Sequence, residues 1–325
     1  MKNKKFLTLF QIDPLHKINP KTDSTFKIIL QALKLSHNVM YCTPDRVFIK
    51  FKETYVKART LELSNKNKSF KVKGDYKEKK ISDFDIVFIR QDPPFNMNYI
   101  LNSYLIEIPR LIDHKKPFFV NSPTGIRNFS EKIFPLLFKD IIPETTISCD
   151  KEILEEFIKR HKTFILKPLF EKGGDGIFLL KQNDPNTKSL IQISSEDFKN
   201  PIILQEFLPN VKNGDKRIII IDGEPVGAVN RIPSDGNFKA NLHLGGSANR
   251  TNLTKKELAI CKKIKPFLVS NGLFFVGIDV IDGKLTEVNV TSPTGIQQIN
   301  KLNKVKIELI LWEKLTKKVL RDNST

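Results

Sequence analysis

The chain has 325 residues, 40% of them apolar, which exceeds one ordinary domain of ~100–200 residues and is enough for sizeable cores, so two or three domains in contact are expected. No run approaches the ~20 apolar residues that span a bilayer, and the stretch at residues 6–10 behind Lys2, Lys4 and Lys5 is too short for a signal-peptide core; a soluble cytoplasmic protein without a membrane partner is expected. The net charge of +18 would suit a polyanion, but only 10 of the 54 basic residues are arginine, and Lys66, Lys68, Lys71, Lys73, Lys77, Lys79 and Lys80 are not interleaved with stacking aromatics, so they read as a solvated loop or face and nucleic acid is not an expected partner.

In chain order, residues 6–12 read as a buried strand, the polar segment with Pro14 and Pro20 as a loop, and residues 25–35 as a helix with Phe26, Ile29, Leu30 and Leu33 on one face and Asp23 or Ser24 as N-cap. Residues 38–41 and 47–52 are further strands. Residues 84–90 form an apolar strand that ends in Arg90-Gln91-Asp92-Pro93-Pro94, the end at which open α/β sheets place ligands. A helix over 98–110 and a strand over 117–120 complete this unit, and turn residues at 121–123 mark a boundary. Beyond it, residues 128–138 are expected to be mostly helical and 151–161 helical, before a strand at 163–167, a glycine-rich loop and a strand at 176–181. Strands at 202–205, 217–221 and 225–231, a helix over 254–271, a hairpin over 274–290 and a final helix over 304–321 follow.

Cys42, Cys149 and Cys261 are odd in number and contain no CxxC pair, so neither disulfides nor a zinc site is expected, and the five histidines lack HxxxH or HExxH spacing. Chemistry concentrates in three places instead. Lys167 ends a strand before Glu171-Lys172-Gly173-Gly174-Asp175-Gly176, whose glycines can turn backbone N–H groups toward an anion; the loop lacks Walker and GxGxxG spacing, and a plain flexible hairpin is the alternative. Asp279, Glu287 and Asn289 are hard oxygen ligands suited to Mg²⁺, but Asp279 joins the other two only if it pairs opposite Glu287. That requires a three-residue connection or a bulge, because a two-residue Asp-Gly turn alone pairs 279 with 286. Finally, Gln205, Phe207 and Leu208 could border an adenine, while Asp215, Arg217 and Arg231 could bind oxyanions or be ordinary salt-bridge partners on a sheet surface.

Taken together, Ile165-Leu166-Lys167-Pro168, the glycine loop, residues 205–208, Asp215-Lys216-Arg217, Asp222-Gly223-Glu224-Pro225, Arg231-Ile232-Pro233 and residues 285–294 resemble the ATP-grasp domain of bacterial glutathione synthetases. Asp13-Pro14, Asn19, Asp23-Ser24-Thr25, Arg90 and Asp92-Pro93-Pro94-Phe95 are similar to that family's first domain, so the likeness runs over nearly the whole chain. The resemblance implies an α/β fold: an N-terminal open parallel-sheet (pre-ATP-grasp) domain at 1–122, then a two-part α+β ATP-grasp domain, with a small subdomain at 123–200 and a large one at 201–325. It implies ligation of γ-glutamylcysteine and glycine through an acyl phosphate, with ATP as co-substrate, Mg²⁺ or Mn²⁺ as cofactor, and a homo-oligomer, expected to be a tetramer.

By position in the motifs, Lys132, Lys167, Glu171, Lys172, Gly173, Gly174, Gly176, Gln205, Phe207, Leu208 and Asp215 would bind ATP, and Asp279, Glu287 and Asn289 the metal. Arg217 and Arg231 would act on the acyl phosphate. Asp13, Asn19, Ser24, Arg90, Lys239, Asn241, Gly245, Gly246 and Ser292 would bind the other substrates, and residues 234–248 would serve with the glycine loop as lids. The chain departs from the enterobacterial pattern at Glu171, Lys239, Ser247 and Gln297; at Lys239, lysine for arginine loses forked pairing.

Overall fold

In the computed structural model, which describes residues 4–113, 116–169, 174–241 and 245–322, the first apolar run becomes β1 (Leu7–Ile12), a strand with nearly every residue buried. Parallel pairing needs crossovers, and the first is α1 (Ser24–Lys34), which leads to β2 (Asn38–Cys42) beside β1. Asp23 caps α1 by accepting from the amides of Thr25 and Phe26. An antiparallel wing follows, made of β3 (Val47–Lys50), β4 (Glu53–Ser64) and β5 (Ser69–Lys80). The chain then returns through β6 (Ile86–Arg90), parallel to β1 on its other side, and through α2 (Met97–Asp113) to β7 (Phe118–Val120).

The expected open parallel sheet is thus present as β2-β1-β6-β7, the parallel part of a mixed sheet whose order is β3-β4-β2-β1-β6-β7 with β5 against β4. Sequence reading missed the long hairpin of β4 and β5, although Thr54, Val56 and Ala58 alternate as buried residues between more exposed neighbours. The lysines of 66–80 are its solvated face: Lys71 and Lys73 reach Glu62 across the ladder at 3.4 and 3.0 Å. Charge along this outer strand discourages further strand pairing.

After α3 (Pro123–Asn128), residues 128–138 are not mostly helical as expected; they contain only a 3₁₀ turn at Phe134–Leu137. Pro135 lacks the amide that an α-helical ladder needs, while Phe134 and Phe138 are still buried, against Ile218, Val276 and Ile278 of the chain's last sheet. A four-stranded antiparallel sheet follows, from β8 (Thr145–Ser148), β9 (Thr163–Lys167), β10 (Phe178–Lys181) and β11 (Ile202–Glu206), in the order β10-β9-β11-β8. The helices α4 (Lys151–Arg160) and α5 (Asn186–Ser194) cover it through Leu154, Phe157 and Ile191.

The last sheet has the order β14-β13-β12-β15-β16, all antiparallel, built from β12 (Asp215–Ile221), β13 (Glu224–Ile232), β14 (Ser247–Arg250), β15 (Phe275–Ile281) and β16 (Lys284–Asn289). Ile260, Ile264 and Leu268 of α6 (Lys255–Ser270) pack on one face. On the other, Ile296 and Ile299 of α7 (Ile296–Asn303) and Leu311, Trp312 and Leu315 of α8 (Ile307–Asp322) form one core with Phe10, Phe88, Ile219 and Phe275. The first and last sheets are therefore held to each other through a shared apolar core, and Trp312 Nε1 donates to the carbonyl of Ile28 at 3.0 Å.

Asn121 is the polar counterpart of that core. Its Nδ2 donates to the carbonyls of Phe275 and Val290 at 2.8 and 2.7 Å, and its Oδ1 accepts from the amide of Phe275 at 2.6 Å. Asn121→Ala strips these buried backbone groups of a partner, so a loss of about 2–4 kcal/mol in unfolding free energy is expected from urea titration. A change below about 0.5 kcal/mol would contradict this account.

Candidate active site

A cavity of about 740 Å³ opens between the four- and five-stranded sheets and is closed on a third side by the loops that end β1 and β6. Its floor depends on the register of one hairpin. Asp282 and Gly283 take φ of 49° and 71°, a two-residue turn that pairs Ile281 with Lys284. The ladder then shifts between Asp279 and Val280, so that Val280 faces Leu285 and Asp279 faces Glu287, leaving Thr286 as the extra residue. Of the two solutions open to the sequence, the chain uses the bulge, and Thr286 Oγ1 ties it down by donating to the carbonyl of Asp279 at 3.1 Å. Asp279, Glu287 and Asn289 consequently all line the cavity.

Asp279 is buried between two arginines. Arg217, its cross-strand neighbour, forks onto it with Nε to Oδ1 at 2.5 Å and a terminal nitrogen to Oδ2 at 2.8 Å. Arg231 reaches Oδ1 at 2.9 Å and also holds its own cross-strand partner, Asp215, at 2.6 Å. Burial alone would raise the Asp279 pKa, but Arg217 and Arg231 outweigh it and hold the carboxyl far below the usual range. At Asp215 the balance differs: burial pushes the carboxyl up to about 6 against the pull of Arg231, and the charge of Asp279 adds to the rise. The network is connected and buried, so Arg217→Met, which leaves Asp279 with one arginine, should cost about 3–5 kcal/mol of stability in denaturant unfolding.

The walls carry the other predicted groups. Lys167, at the end of β9, donates to Gln205 Oε1 at 2.8 Å, and Gln205 in turn donates to Thr145 Oγ1 at 2.9 Å. Phe207 and Leu208 border the cavity just past β11, and Lys132 Nζ crosses to the carbonyl of Pro168 at 2.8 Å. Gly174 lines the opening, and Lys239 Nζ donates to its carbonyl at 2.9 Å, joining the 234–248 segment to the glycine loop. Gly176 sits behind it with φ of 66°, where an added Cβ would press Pro168 at 3.0 Å. Glu171, Lys172 and Gly173 lie outside the described residues. Asn241 lines the cavity and accepts the amide of Gly246 through its carbonyl at 3.3 Å; Gly245 lies in the same turn, with φ of 93°.

The first domain supplies the remaining side. Asn19 and Ser292 reach the large cavity, whereas Asp13 and Arg90 line an adjoining one of about 340 Å³. Asp13 Oδ2 accepts the amide of Asp92 at 2.8 Å, and Ser292 donates to the Asp92 carboxylate at 2.6 Å. Arg90 is buried, donates to Thr25 Oγ1 and to the carbonyl of Pro293 at 3.0 Å each, and keeps one terminal nitrogen without a partner among the described residues. Ser24 is not brought into either cavity: it is fully buried and its Oγ accepts the amide of Ile296 at 3.3 Å. Gln297, which stands where arginine is often found, donates to the carbonyls of Pro20 and Asp23 at 3.1 and 2.7 Å.

Sequence reading missed Glu131, which it took for part of a helix. Glu131 accepts the amide of Val288 through its carbonyl at 2.9 Å and the hydroxyl of Thr291 through Oε1 at 2.7 Å, so it clasps the strand end that carries Glu287 and Asn289. Its position immediately before Lys132 was the available signal. Burial raises its pKa; the Thr291 hydroxyl opposes that and the charge of Glu287 adds to it. A carboxyl with a raised folded pKa contributes stability that is full below its unfolded pKa and is lost as pH rises through the folded value. Glu131→Gln should therefore gain thermal stability relative to the parent between acidic and neutral pH, measured by melting in the presence of EDTA; a difference that stays flat with pH would contradict the burial of this charge.

Glu287 and Glu131 face one cavity, and among the described residues neither meets a basic side chain in an ion pair. Asp279 has its oxygens engaged by the two arginines and also accepts from Asn289 Nδ2 at 3.3 Å, and among the described residues no three carboxylate, imidazole or thiol groups come close enough together to hold a metal ion; Glu287 and the Asn289 side-chain oxygen are hard donors, of the kind that suits a divalent cation better than a soft metal.

Comparison with known proteins bears on the whole chain. Residues 7–127 match the profile of the prokaryotic glutathione synthetase N-terminal domain, and residues 131–304 match that of the prokaryotic glutathione synthetase ATP-grasp domain. Glutathione synthetase of Bradyrhizobium diazoefficiens is 40% identical over 308 residues, covering 95% of this chain and 97% of that protein. The Synechocystis glutathione synthetase is 40% identical over 314 residues, with 93% and 97% covered. Among solved structures, the D-cycloserine synthetase DcsG superposes with a TM-score of 0.66 at 12% identity, covering 96% of this chain and 99% of the other. D-alanine–D-alanine ligase from Bacillus anthracis does so at 0.58 and 11%, with 98% of each chain covered; at such identities these two speak for the fold alone.

Proposed function

We infer the activity from one premise: this chain belongs to the prokaryotic glutathione synthetase family. It is an ATP-dependent carboxylate–amine ligase that joins γ-glutamylcysteine to glycine, giving glutathione, ADP and phosphate. A carboxylate oxygen of the dipeptide attacks the γ-phosphorus of ATP and expels ADP; the glycine amine then attacks the acyl carbon, phosphate leaves, and the amine proton passes to solvent.

For the residues, the reading is as follows. Lys132 and Lys167 hold the nucleotide phosphates with the glycine loop of residues 171–176, and Gln205, Phe207 and Leu208 border the adenine. Asp215 stands in the ATP-binding set through its link to Arg231. Asp279, Glu287 and Asn289 hold the divalent cation, Mg²⁺ or Mn²⁺, which neutralises charge on the phosphates when bound. Arg217 and Arg231 lie beside those ligands, and as fixed cations at the acyl phosphate they stabilise negative charge without reorganisation. Asp13, Asn19, Arg90 and Ser292, with Lys239 and Asn241 on the facing segment, receive the dipeptide and glycine. The 234–248 segment and the glycine loop exclude water that would hydrolyse the acyl phosphate. Ser24 fits this reading less directly, since it supports the wall from beneath.

The observation that supports the site assignment is the bulge at Thr286, which sets Asp279 opposite Glu287 in the cavity that Lys167 and Gln205 also line. We further take the enzyme to be a cytoplasmic homo-oligomer. Cys42, Cys149 and Cys261 are all free, and among the described residues no helix is long and apolar enough to cross a membrane.

Phosphate release from ATP should require a divalent cation, γ-glutamylcysteine and glycine together and be accompanied by glutathione. Glu287→Ala should lower it by about 10²–10³-fold, the scale for losing one group that stabilises transition-state charge. Full turnover in the variant would remove Glu287 from the site, and turnover indifferent to the two substrates would overturn the ligase reading.

A further inference from the structure

Three side chains on one face of the four-stranded sheet form a row that runs from its edge to the cavity. Thr145 of the edge strand β8 lies directly across from Gln205 of β11, and on the other side of β11 Lys167 of β9 lies across from Ile203. Residues 203 and 205 point to the same face, so Lys167 reaches Gln205 on the diagonal. The opposite face, with Phe164, Leu166 and Leu204, packs under Leu154, Phe157 and Ile191 of α4 and α5. Lys167 and Gln205 line the cavity and are buried; Thr145 is half-buried and is not among the lining residues.

The hydrogen bonds along this row admit only one direction. At the outer end the carbonyl of Pro143 is an acceptor and nothing else, so Thr145 Oγ1, 2.9 Å away, donates its proton there. The hydroxyl oxygen is then left to accept, and it takes Gln205 Nε2 at 2.9 Å. At the inner end the ammonium of Lys167 is a donor and nothing else, so the atom it meets at 2.8 Å is Gln205 Oε1. A carboxamide has nearly the same shape either way round, and only its neighbours decide which end faces which. Turned over, Gln205 would set its own amide protons against the Lys167 ammonium, and its carbonyl against an oxygen whose proton is already committed. In a buried row that leaves donors and acceptors unmet away from water, which is the costly case.

We propose that Thr145 is a positioning residue for nucleotide binding: its hydroxyl fixes the orientation of the Gln205 carboxamide, and the carboxamide oxygen in turn holds the Lys167 ammonium at the place where the nucleotide phosphates are received. Thr145 acts through Gln205 and touches no ligand itself. The proposal rests on the reading of Lys167 and Gln205 as nucleotide-binding groups and is independent of which carboxylate is activated.

Thr145→Val keeps the shape of the side chain and removes its hydroxyl. The Kd for ADP, from titration calorimetry, and the KM for ATP should both rise about tenfold, the scale of one unmet buried donor. The KM values for γ-glutamylcysteine and glycine should stay within about twofold of the parent, as should all constants of Thr145→Ser, which keeps the hydroxyl. Because Thr145 acts through Gln205, adding Thr145→Val to Gln205→Met should weaken ADP binding by less than about twofold beyond Gln205→Met alone. Parent-like ADP affinity in Thr145→Val, a Thr145→Ser variant as weak as Thr145→Val, or the same tenfold loss with and without Gln205 would each overturn the role of Thr145 alone. A Gln205→Met variant with parent-like ADP affinity would overturn the nucleotide-binding reading of this wall, and the proposal with it.

Discussion

The carboxylate of Asp279, enclosed in protein and gripped by Arg217 and Arg231, is the interaction around which the site is arranged. A buried charge without partners is prohibitively unfavourable, and a buried ion pair adds little net stability unless its geometry is close to ideal. Here the geometry comes from the sheet: Arg217 lies directly across β12 and β15 from Asp279, and Arg231 directly across β12 and β13 from Asp215. Two carboxylates and two arginines therefore alternate over neighbouring strands, each cation touching at least one anion. What this arrangement provides is fixed position. The arginines cannot swing away without leaving a buried anion behind, and further donors tie them to the backbone, Arg217 to the carbonyl of Thr294 and Arg231 to that of Asp215, so both guanidinium groups stay beside the cavity.

That network could not exist without a second constraint, in the hairpins. Asp222-Gly223 and Asp282-Gly283 are both two-residue turns with positive φ at both positions, and both are followed by a register shift, between Ile219 and Ile220 in one case and between Asp279 and Val280 in the other. The same device serves two ends. In the first hairpin the shift lies in the core, and it restores the register in which Arg217 faces Val229 and Asp215 faces Arg231. In the second it brings Glu287 opposite Asp279. A tight turn sets the strands' direction and twist, and the extra residue then chooses which side chains face each other.

This division explains what could be read from the sequence. The strands at 6–12, 84–90, 217–221 and 274–290 were legible because their apolar patterns are local, and the register demand on Asp279 was legible because it follows from side-chain alternation. Whether a connection of three residues or a bulge met that demand was not, since a bulge is decided by packing across the sheet. Glu131 was hidden for a similar reason: its partners, Val288 and Thr291, are some 160 residues away in the chain. The hairpin of β4 and β5 was missed although its alternation is visible, because the lysine content of β5 resembles that of a loop.

Lys239 shows how a departure from a family pattern can be reconciled with the geometry that surrounds it. Arginine is suited to planar oxyanions that accept two parallel hydrogen bonds, and lysine gives up that fork. The acceptor that Lys239 meets in this structure is a single backbone carbonyl, that of Gly174, for which one ammonium donor suffices. The contact joins two segments that border the same opening, and for it a flexible stem that bridges the distance serves as well as a planar fork. A substitution that would weaken a carboxylate clamp is compatible with a tie between two loops. The strict demand for forked pairing falls instead on Arg217, where Asp279 presents both oxygens and the cross-strand register leaves no freedom to adjust.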